Sequence, residues 1–160
     1  VIATAGDRDK LAIAAAHGAD HLIDYRNENI RDRVKAICNG GGADVVYDPV
    51  GGSAFEASLR CVNWGARLLV VGFASGELPQ IPANILLVKN IAALGFYWGS
   101  YRRQRPALLP GQFAELFDWW RQGKLKPHVA RRLDLAEAPR ALALLRDRKS
   151  TGKVVLTTGR

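Results

Sequence analysis

The chain has 160 residues, of which 48% are hydrophobic and 24% charged, and this balance predicts a globular protein with a sizeable core rather than a disordered tail. No run approaches the roughly 18 consecutive apolar residues of a membrane span, and no export or anchoring signal is expected from residues 1–6. The net charge of +8 belongs to the second half: residues 1–80 carry 8 basic and 10 acidic side chains, and residues 81–160 carry 15 and 5.

Strand and helix patterns alternate over the first 72 residues. Strands are predicted over residues 1–5, 21–25, 45–47 and 67–72, and helices over residues 10–17, 28–38 and 53–63. Gly18 ends the first helix, and residues 40–42, all glycine, end the second. This βαβαβαβ order predicts a doubly wound parallel sheet covered by helices on both faces.

The alternation continues to a fifth strand over residues 91–96, which follows a short apolar segment at residues 85–88, and then it stops. Residues 97–110 are predicted to be a connection. An amphipathic helix over 111–122, a helix over 139–147 with Leu142 and Leu145 facing inward, and a terminal strand over 153–157 complete the chain.

Metal, disulfide and nucleic-acid sites are not predicted. Cys38 and Cys61 lie 23 positions apart with no Cys-x-x-Cys pattern, which favours two small buried residues in a reducing cytoplasm. His17, His21 and His128 lack ligand spacing. The arginines of the second half are scattered without a nucleic-acid motif, so a solvated face or an anionic small ligand is favoured over nucleic acid.

The residues that directly follow the predicted strands form a candidate binding rim, because ligands of doubly wound sheets bind beyond the carboxyl ends of the strands. Glycines that permit a close backbone approach stand there with cations and an aromatic side chain at one edge, a combination that suits a phosphorylated nucleotide. The set comprises Ala5, Gly6, Asp7, Arg8, Lys10, Tyr25, Arg26, residues 48–51, Gly72, Phe73, Ala74 and Ser75.

Six segments in this order and spacing resemble the quinone oxidoreductase (zeta-crystallin-like) branch of the medium-chain dehydrogenase/reductase family. They are VIATA at 1–5, KLA at 10–12, GADHLIDY at 18–25, GADVVYDPVGG at 42–52, GFASG at 72–76 and TGKVV at 151–155. The resemblance covers nearly the whole chain. It implies an α/β fold in which residues 1–96 are a partial Rossmann domain that binds NADP, and residues 97–160 return to the catalytic, GroES-like domain.

The resemblance implies that Gly6, Asp7, Arg8 and Lys10 line the pocket for the adenosine 2′-phosphate, with Tyr25 beside the adenine ribose. Relatives that prefer NAD carry a carboxylate at the tip of this strand, where the present chain has Ala5 followed by cations, so NADPH is the expected cofactor. Asp7 departs from the family pattern, which often has a small hydroxyl residue, and its charge must point away or be offset by Arg8.

The same resemblance assigns the remaining cofactor contacts. Residues near the pyrophosphate and the adjoining ribose are Pro49, Gly72, Phe73, Ala74 and Ser75. Those near the nicotinamide are Leu94, Gly95, Phe96 and Tyr97. Arg148 matches a position that reaches the cofactor from the returning segment, and from the sequence alone it could equally be a surface arginine. No catalytic side chain is identified, since the cofactor itself carries the hydride chemistry, and no zinc is expected.

The implied activity is reduction of a quinone or a similar conjugated carbonyl by NADPH, in a homodimer paired through the strand at 91–97. Its partners would then be a small-molecule substrate and a second copy, with no nucleic acid and no membrane. Two alternatives remain open: an enoyl-thioester reductase of the same family, and a nucleotide-binding or structural protein without turnover.

The Gly-x-Gly-x-x-Gly turn that follows the first strand of a dinucleotide-binding sheet does not occur in the sequence. Val1 begins where the second strand of that sheet should begin, so the central strand is expected to be missing. We therefore expect a fragment whose sheet is completed by an upstream segment, by another copy or by rearrangement. Alone, it should bind NADPH poorly and show no reductase turnover.

Overall fold

The computed structural model describes residues 1–147 and 149–159. It divides into two compact units, Val1–Ser100 and Tyr101–Arg160. The assignment of residues 1–96 to a nucleotide-binding domain and of residues 97–160 to a catalytic domain stays a prediction.

The first unit alternates strands and helices, as the sequence predicts. Its elements are β1 (Ile2–Ala5), α1 (Arg8–Ala16), β2 (His21–Asp24), α2 (Ile30–Ile37), β3 (Ala43–Asp48), α3 (Gly52–Arg60), β4 (Val62–Val70), α4 (Ala83–Lys89) and β5 (Ala92–Gly95), followed by a 3-10 turn at Trp98–Ser100. The apolar segment at residues 85–88 lies within α4, a helix that the sequence analysis did not identify. The expectation of an α/β fold with parallel sheets is confirmed.

The parallel strands of this unit form two sheets rather than one. In the first sheet β1 pairs with β2, with Ile2 opposite His21 and Ala5 opposite Asp24. In the second, the order is β3-β4-β5. No pair of strands within residues 1–100 joins the two sheets. The break therefore lies where the sequence analysis expected a central strand to be missing.

The core of the unit consists of two clusters. Phe55 of α3 and Leu68 of β4 are fully buried in the larger cluster, which packs α3 and α4 against the β3-β4-β5 sheet. The smaller cluster surrounds Ile23 of β2 and includes Val34 of α2. Since side chains alternate between the faces of a strand, Val45 and Tyr47 of β3 point to the other face of the larger sheet, where they are 48% and 67% exposed. The expected helical cover of both faces is thus found on only one face of this sheet within residues 1–100.

The second unit contains α5 (Tyr101–Gln104), α6 (Leu109–Arg121), β6 (Val129–Asp134), α7 (Ala138–Arg146) and β7 (Lys153–Thr157). Strands β6 and β7 pair in parallel. Strand β6 is not predicted from the sequence, because Arg131 and Arg132 interrupt its apolar pattern. Helix α7 begins and ends within one residue of its predicted bounds, but the expectation that Leu142 and Leu145 face inward is wrong. Both are exposed, whereas Ala141 is buried and Leu144 is partly buried.

No helix among the described residues has the length and hydropathy that crossing a membrane requires.

Two leucines in the first unit provide a matched test of this core. We expect Leu68→Ala, at a fully buried position, to lower the free energy of unfolding of the intact protein by about 2 to 5 kcal/mol through lost burial and a residual cavity. Leu87→Ala removes the same atoms from a side chain that is 77% exposed and should cost less than about 0.5 kcal/mol. Urea denaturation measures both; equal losses would contradict the assignment of the core.

Candidate functional site

The carboxyl end of β1 is covered by two side chains from the end of β2. Gly6, directly after β1, is buried, and a Cβ atom placed on it would lie 2.8 Å from Cε2 of Tyr25 and 2.9 Å from Nε of Arg26. Because any larger residue would displace them, glycine allows the phenol ring and the guanidinium group to lie directly over the backbone. The structure therefore brings Gly6 and Tyr25 together, as the resemblance implies, and adds Arg26.

The turn between β2 and α2 is held by the carboxylate of Asp24. Its Oδ1 accepts a hydrogen bond from the backbone N–H of Arg26 at 3.1 Å, and its Oδ2 accepts one from the side-chain amide of Asn27 at 2.8 Å. The backbone N–H of Asp24 donates to Oε2 of Glu28 at 2.9 Å, and Arg33 forms an ion pair with Glu28 at 2.7 Å. These bonds preorganise the turn that presents Tyr25 and Arg26.

The charge of Asp24 is stabilised in this turn. Hydrogen bonds from the Asn27 side chain and the Arg26 backbone hold the pKa of Asp24 below its usual range, and the positive charges of Arg26 and Arg8 lower it further. Asp24 is therefore ionised at neutral pH. Its two oxygen atoms accept hydrogen bonds from within the turn, and its negative charge interacts favourably with the positive charges of Arg8 and Arg26.

Asp7 has a local structural role. It is the N-cap of α1, where its Oδ1 accepts a hydrogen bond from the backbone N–H of Asp9 at 2.8 Å. Asp7, the residue that departs from the family pattern, thus uses its carboxylate to cap the N-terminus of α1. Arg8 is exposed at the first position of α1, and Lys10 is half-buried in the same turn.

A second group of site residues lies at the end of β3, where Asp48 forms a turn similar to that of Asp24. Asp48 is only 6% exposed, and its Oδ1 accepts hydrogen bonds from the backbone N–H groups of Val50 at 2.7 Å and Gly51 at 3.1 Å. The loop after β4 is bonded to this turn. The N–H of Ala74 donates to the carbonyl of Pro49 at 3.0 Å, and the N–H of Ser75 donates to that of Val50 at 3.0 Å.

The two loops pack so closely that a side chain at Gly51 or Gly72 would press against the other loop. A Cβ on Gly72 would lie 3.2 Å from the carbonyl oxygen of Pro49. Gly51, which has a φ of +73° and caps α3, would meet the ring of Phe73 at 3.2 Å. The hydroxyl of Ser75 donates to the carbonyl of Val50 at 2.7 Å. The surface beyond β3 and β4 consequently consists largely of backbone and small residues, with the half-exposed ring of Phe73 beside them.

The end of β5 completes this edge. Leu94 pairs with Leu69 and Gly95 with Val70, and the N–H of Phe96 donates to the carbonyl of Val70 at 2.9 Å. Leu94 and Phe96 are partly exposed. The structure thus brings most of the remaining predicted residues to the carboxyl edge of β3-β4-β5; they are Pro49, Gly72, Phe73, Ala74, Ser75, Leu94, Gly95 and Phe96.

Arg148 lies outside the described residues. Arg26 and Asp48 belong to the candidate binding rim that the sequence predicts, but neither was assigned a role there. Asp48 is an aspartate that ends a strand, and Arg26 lies two residues after another, Asp24. That pattern, an aspartate at a strand end followed by a turn, is the signal that could have identified both.

The described residues contain no group of three or more His, Cys, Asp or Glu side chains that could hold a metal ion. The absence of a zinc requirement stays a prediction. The residues at the tip of β1 and those beyond β3 and β4 form two groups that fit the two ends of a dinucleotide. Cations and an aromatic ring stand at the tip of β1, where Ala5 offers no carboxylate, and closely packed backbone lies beyond β3 and β4.

Comparisons with known proteins agree with this arrangement. The family model described as zinc-binding dehydrogenase matches residues 17–156. Among curated proteins, a quinone oxidoreductase-like protein 2 homolog of Nematostella vectensis is 44% identical over 96% of this chain and 42% of its own length. A quinone oxidoreductase of Pseudomonas aeruginosa is 36% identical over 98% of this chain and 48% of its own length.

A solved structure shows the same likeness in three dimensions. The Escherichia coli quinone oxidoreductase, solved in complex with NADPH, superposes with a TM-score of 0.84 at 31% identity, covering 97% of this chain and 48% of that protein. The chain therefore spans less than half the length of these relatives.

Proposed function

The chain belongs to the zinc-binding dehydrogenase family, within its quinone oxidoreductase branch, and from that premise we propose that it binds NADP(H) for an oxidoreductase that reduces quinones or similar conjugated carbonyls. We also propose that this reduction requires no zinc. Both proposals concern the intact protein, because the chain spans less than half the length of its relatives.

The observation that carries the proposal is the cover that Tyr25 and Arg26 form over Gly6. In this arrangement a guanidinium group and an aromatic ring lie over the tip of β1, the part of a dinucleotide-binding sheet that receives the adenosine ribose. A carboxylate there would favour the 2′-hydroxyl of NADH, whereas the chain has Ala5 and nearby cations. This environment supports binding of the 2′-phosphate of NADPH.

The residues beyond β3 and β4 would hold the other end of the cofactor. The packed loops around Pro49 and Gly72 offer backbone that a pyrophosphate or ribose can approach closely, and Phe73 and Phe96 add partly exposed aromatic surface. Bound NADPH would supply the hydride. The residues of this chain would orient the dinucleotide and fix which part of it meets the substrate.

Turnover of the intact protein tests the reaction class. We expect the intact protein to oxidise NADPH in the presence of a quinone. The loss of absorbance of the reduced nicotinamide measures this oxidation. Faster turnover with an enoyl thioester would favour the alternative reductase, and binding of NADPH without turnover of either substrate would favour a nucleotide-binding protein. No oxidation of NADPH with any conjugated carbonyl would contradict the proposal.

Cofactor preference tests the position of the 2′-phosphate. In the intact protein, Lys10→Ala should weaken binding of NADPH by about 1.5 to 3 kcal/mol, the value of one charge-assisted phosphate contact, and leave binding of NADH nearly unchanged. Lys35→Ala, which removes a similarly half-buried lysine from α2, is the matched control and should alter neither affinity. If calorimetric titration shows equal losses for the two cofactors with Lys10→Ala, that lysine does not contact the 2′-phosphate.

We also propose that the protein dimerises through the segment at 91–97. Within residues 1–100, strand β5 pairs with β4 along one edge, and no strand pairs with its other edge. Tyr97, just beyond β5, is 72% exposed. An open edge of this kind can pair with the same strand of a second copy. Light scattering of the intact protein should show a dimer at micromolar concentration, and a monomer there would count against the interface.

A further inference from the structure

Both cysteines of the chain lie toward the amino ends of the strands, at the edge opposite the candidate binding rim. Cys38 ends α2 and Cys61 ends α3, and each of these helices runs from the carboxyl end of one strand back to the amino end of the next. Both side chains are free thiols. Cys61 is only 3% exposed, whereas Cys38 is half-buried, so solvent reaches one thiol of the pair and not the other.

Packing brings the two cysteines into one cluster. Cys61 is buried together with Val34 of α2, and Cys38 packs against the same cluster. Two consecutive glycines link them. A Cβ on Gly41 would lie 3.9 Å from the Cβ of Cys38, and a Cβ on Gly42 would collide with the carbonyl of Cys61. This connection from α2 to β3 can adjust its conformation, because glycine has no side chain that restricts the backbone.

The surroundings of the two thiols are electropositive. Lys35 and Cys38 are three positions apart on α2 and therefore share a face of that helix. The Nζ of Lys89 donates a hydrogen bond at 2.9 Å to the carbonyl of Leu59, in the last turn of α3. Burial raises the pKa of the Cys61 thiol, and the positive charges of Lys89 and Lys35 oppose that rise. Cys61 is thus protected as a thiol, and Cys38 is the group that an external reagent can reach.

We propose that Cys38 and Cys61 form a redox-sensitive modification site, in which Cys38 exchanges with an anionic low-molecular-weight disulfide and Cys61 then closes an intramolecular disulfide. The cations around the pair favour a reagent that carries carboxylates, and oxidised glutathione is a disulfide of this class. The spacing of the two cysteines in the sequence does not indicate this pairing, which depends on the packing of α2 against α3. The site lies away from the candidate binding rim and is independent of the proposed function.

The exchange proceeds in two balanced steps. The thiolate of Cys38 attacks one sulfur atom of oxidised glutathione; the S–S bond of the reagent breaks, a mixed disulfide forms, and one glutathione thiolate leaves with the electron pair. The thiol of Cys61 then loses its proton, and its sulfur attacks the sulfur of Cys38, which releases the second glutathione as a thiolate. The two released thiolates take up the protons that the two cysteines lost. Two cysteine thiols are thereby oxidised to one disulfide, and one molecule of oxidised glutathione is reduced to two of glutathione.

Peptide mapping of the intact protein tests the site directly. After incubation with oxidised glutathione, alkylation of the remaining thiols and digestion without a reductant, mass spectrometry should find the peptides of Cys38 and Cys61 joined by a disulfide. Cys61→Ala should instead accumulate glutathione on Cys38, because no second thiol displaces it. In Cys38→Ala, Cys61 should stay unmodified until the protein is denatured. No link between the two cysteines, or a stable mixed disulfide at Cys38 in the unaltered protein, would overturn the proposal.

The rate of the reaction tests the role of the cations. Lys35→Ala should slow the reaction with oxidised glutathione by roughly 2-fold to 5-fold without slowing that with cystamine, a cationic disulfide. Arg33→Ala removes a cation from the same helix and is the matched control. It should change neither rate, since the guanidinium of Arg33 is paired with Glu28 at 2.7 Å. Equal slowing for the two disulfides with Lys35→Ala would contradict selection of an anionic reagent.

Unfolding of the unaltered protein provides a measurement that does not depend on the folding of a cysteine variant. A disulfide between Cys38 and Cys61 closes a loop in the unfolded chain, so the oxidised protein should unfold at a urea concentration roughly 0.5 to 1 M higher than the reduced protein. Dithiothreitol should reverse this shift, and Cys38→Ala should not show it. Equal midpoints for the oxidised and reduced proteins would contradict a disulfide between these two positions.

Discussion

The arrangement of the candidate site depends on the parallel pairing of the strands. Parallel strands end at the same edge of a sheet, so the residues that follow them meet there although they are far apart in the sequence. Ala5 opposite Asp24 brings the β1 and β2 turns together, and Asp48 opposite Val70 does the same for β3 and β4. The helices α1, α3 and α4 make the crossovers that parallel pairing requires, since each connects two strands that pair in the same sheet. Phe55 and Leu59 of α3 are buried against the β3-β4-β5 sheet.

Two aspartates then give these strand ends their shape. Asp24 ends β2 and Asp48 ends β3, and each carboxylate accepts a hydrogen bond from the backbone N–H two residues later. The same local interaction has two results. In the first case it presents an aromatic ring and a guanidinium group over Gly6, and in the second it presents closely packed backbone beside Gly72. One end of the site therefore carries cations, and the other consists mostly of backbone and small side chains.

Much of this could be predicted from the sequence, because the alternation of strands and helices is a local pattern and strand ends follow from it. The contact between Tyr25 and Gly6 follows from that order once the sheet is parallel. The positions of other side chains depend on packing that no local pattern records. Leu142 and Leu145 carry the periodicity of a buried helix face but are exposed, and β6 is hidden by Arg131 and Arg132. Arg26 resembles a surface arginine until the turn of Asp24 is seen to direct it over Gly6.

The most direct test of the account is a structure of the intact protein with NADP⁺ bound. We expect the 2′-phosphate to lie within hydrogen-bond distance of the guanidinium of Arg26 or the amine of Lys10, with the adenosine ribose over Gly6. The nicotinamide end should lie against the loops at Gly72 and Phe96. A dinucleotide bound in the opposite direction, or with its 2′-phosphate away from the tip of β1, would contradict it.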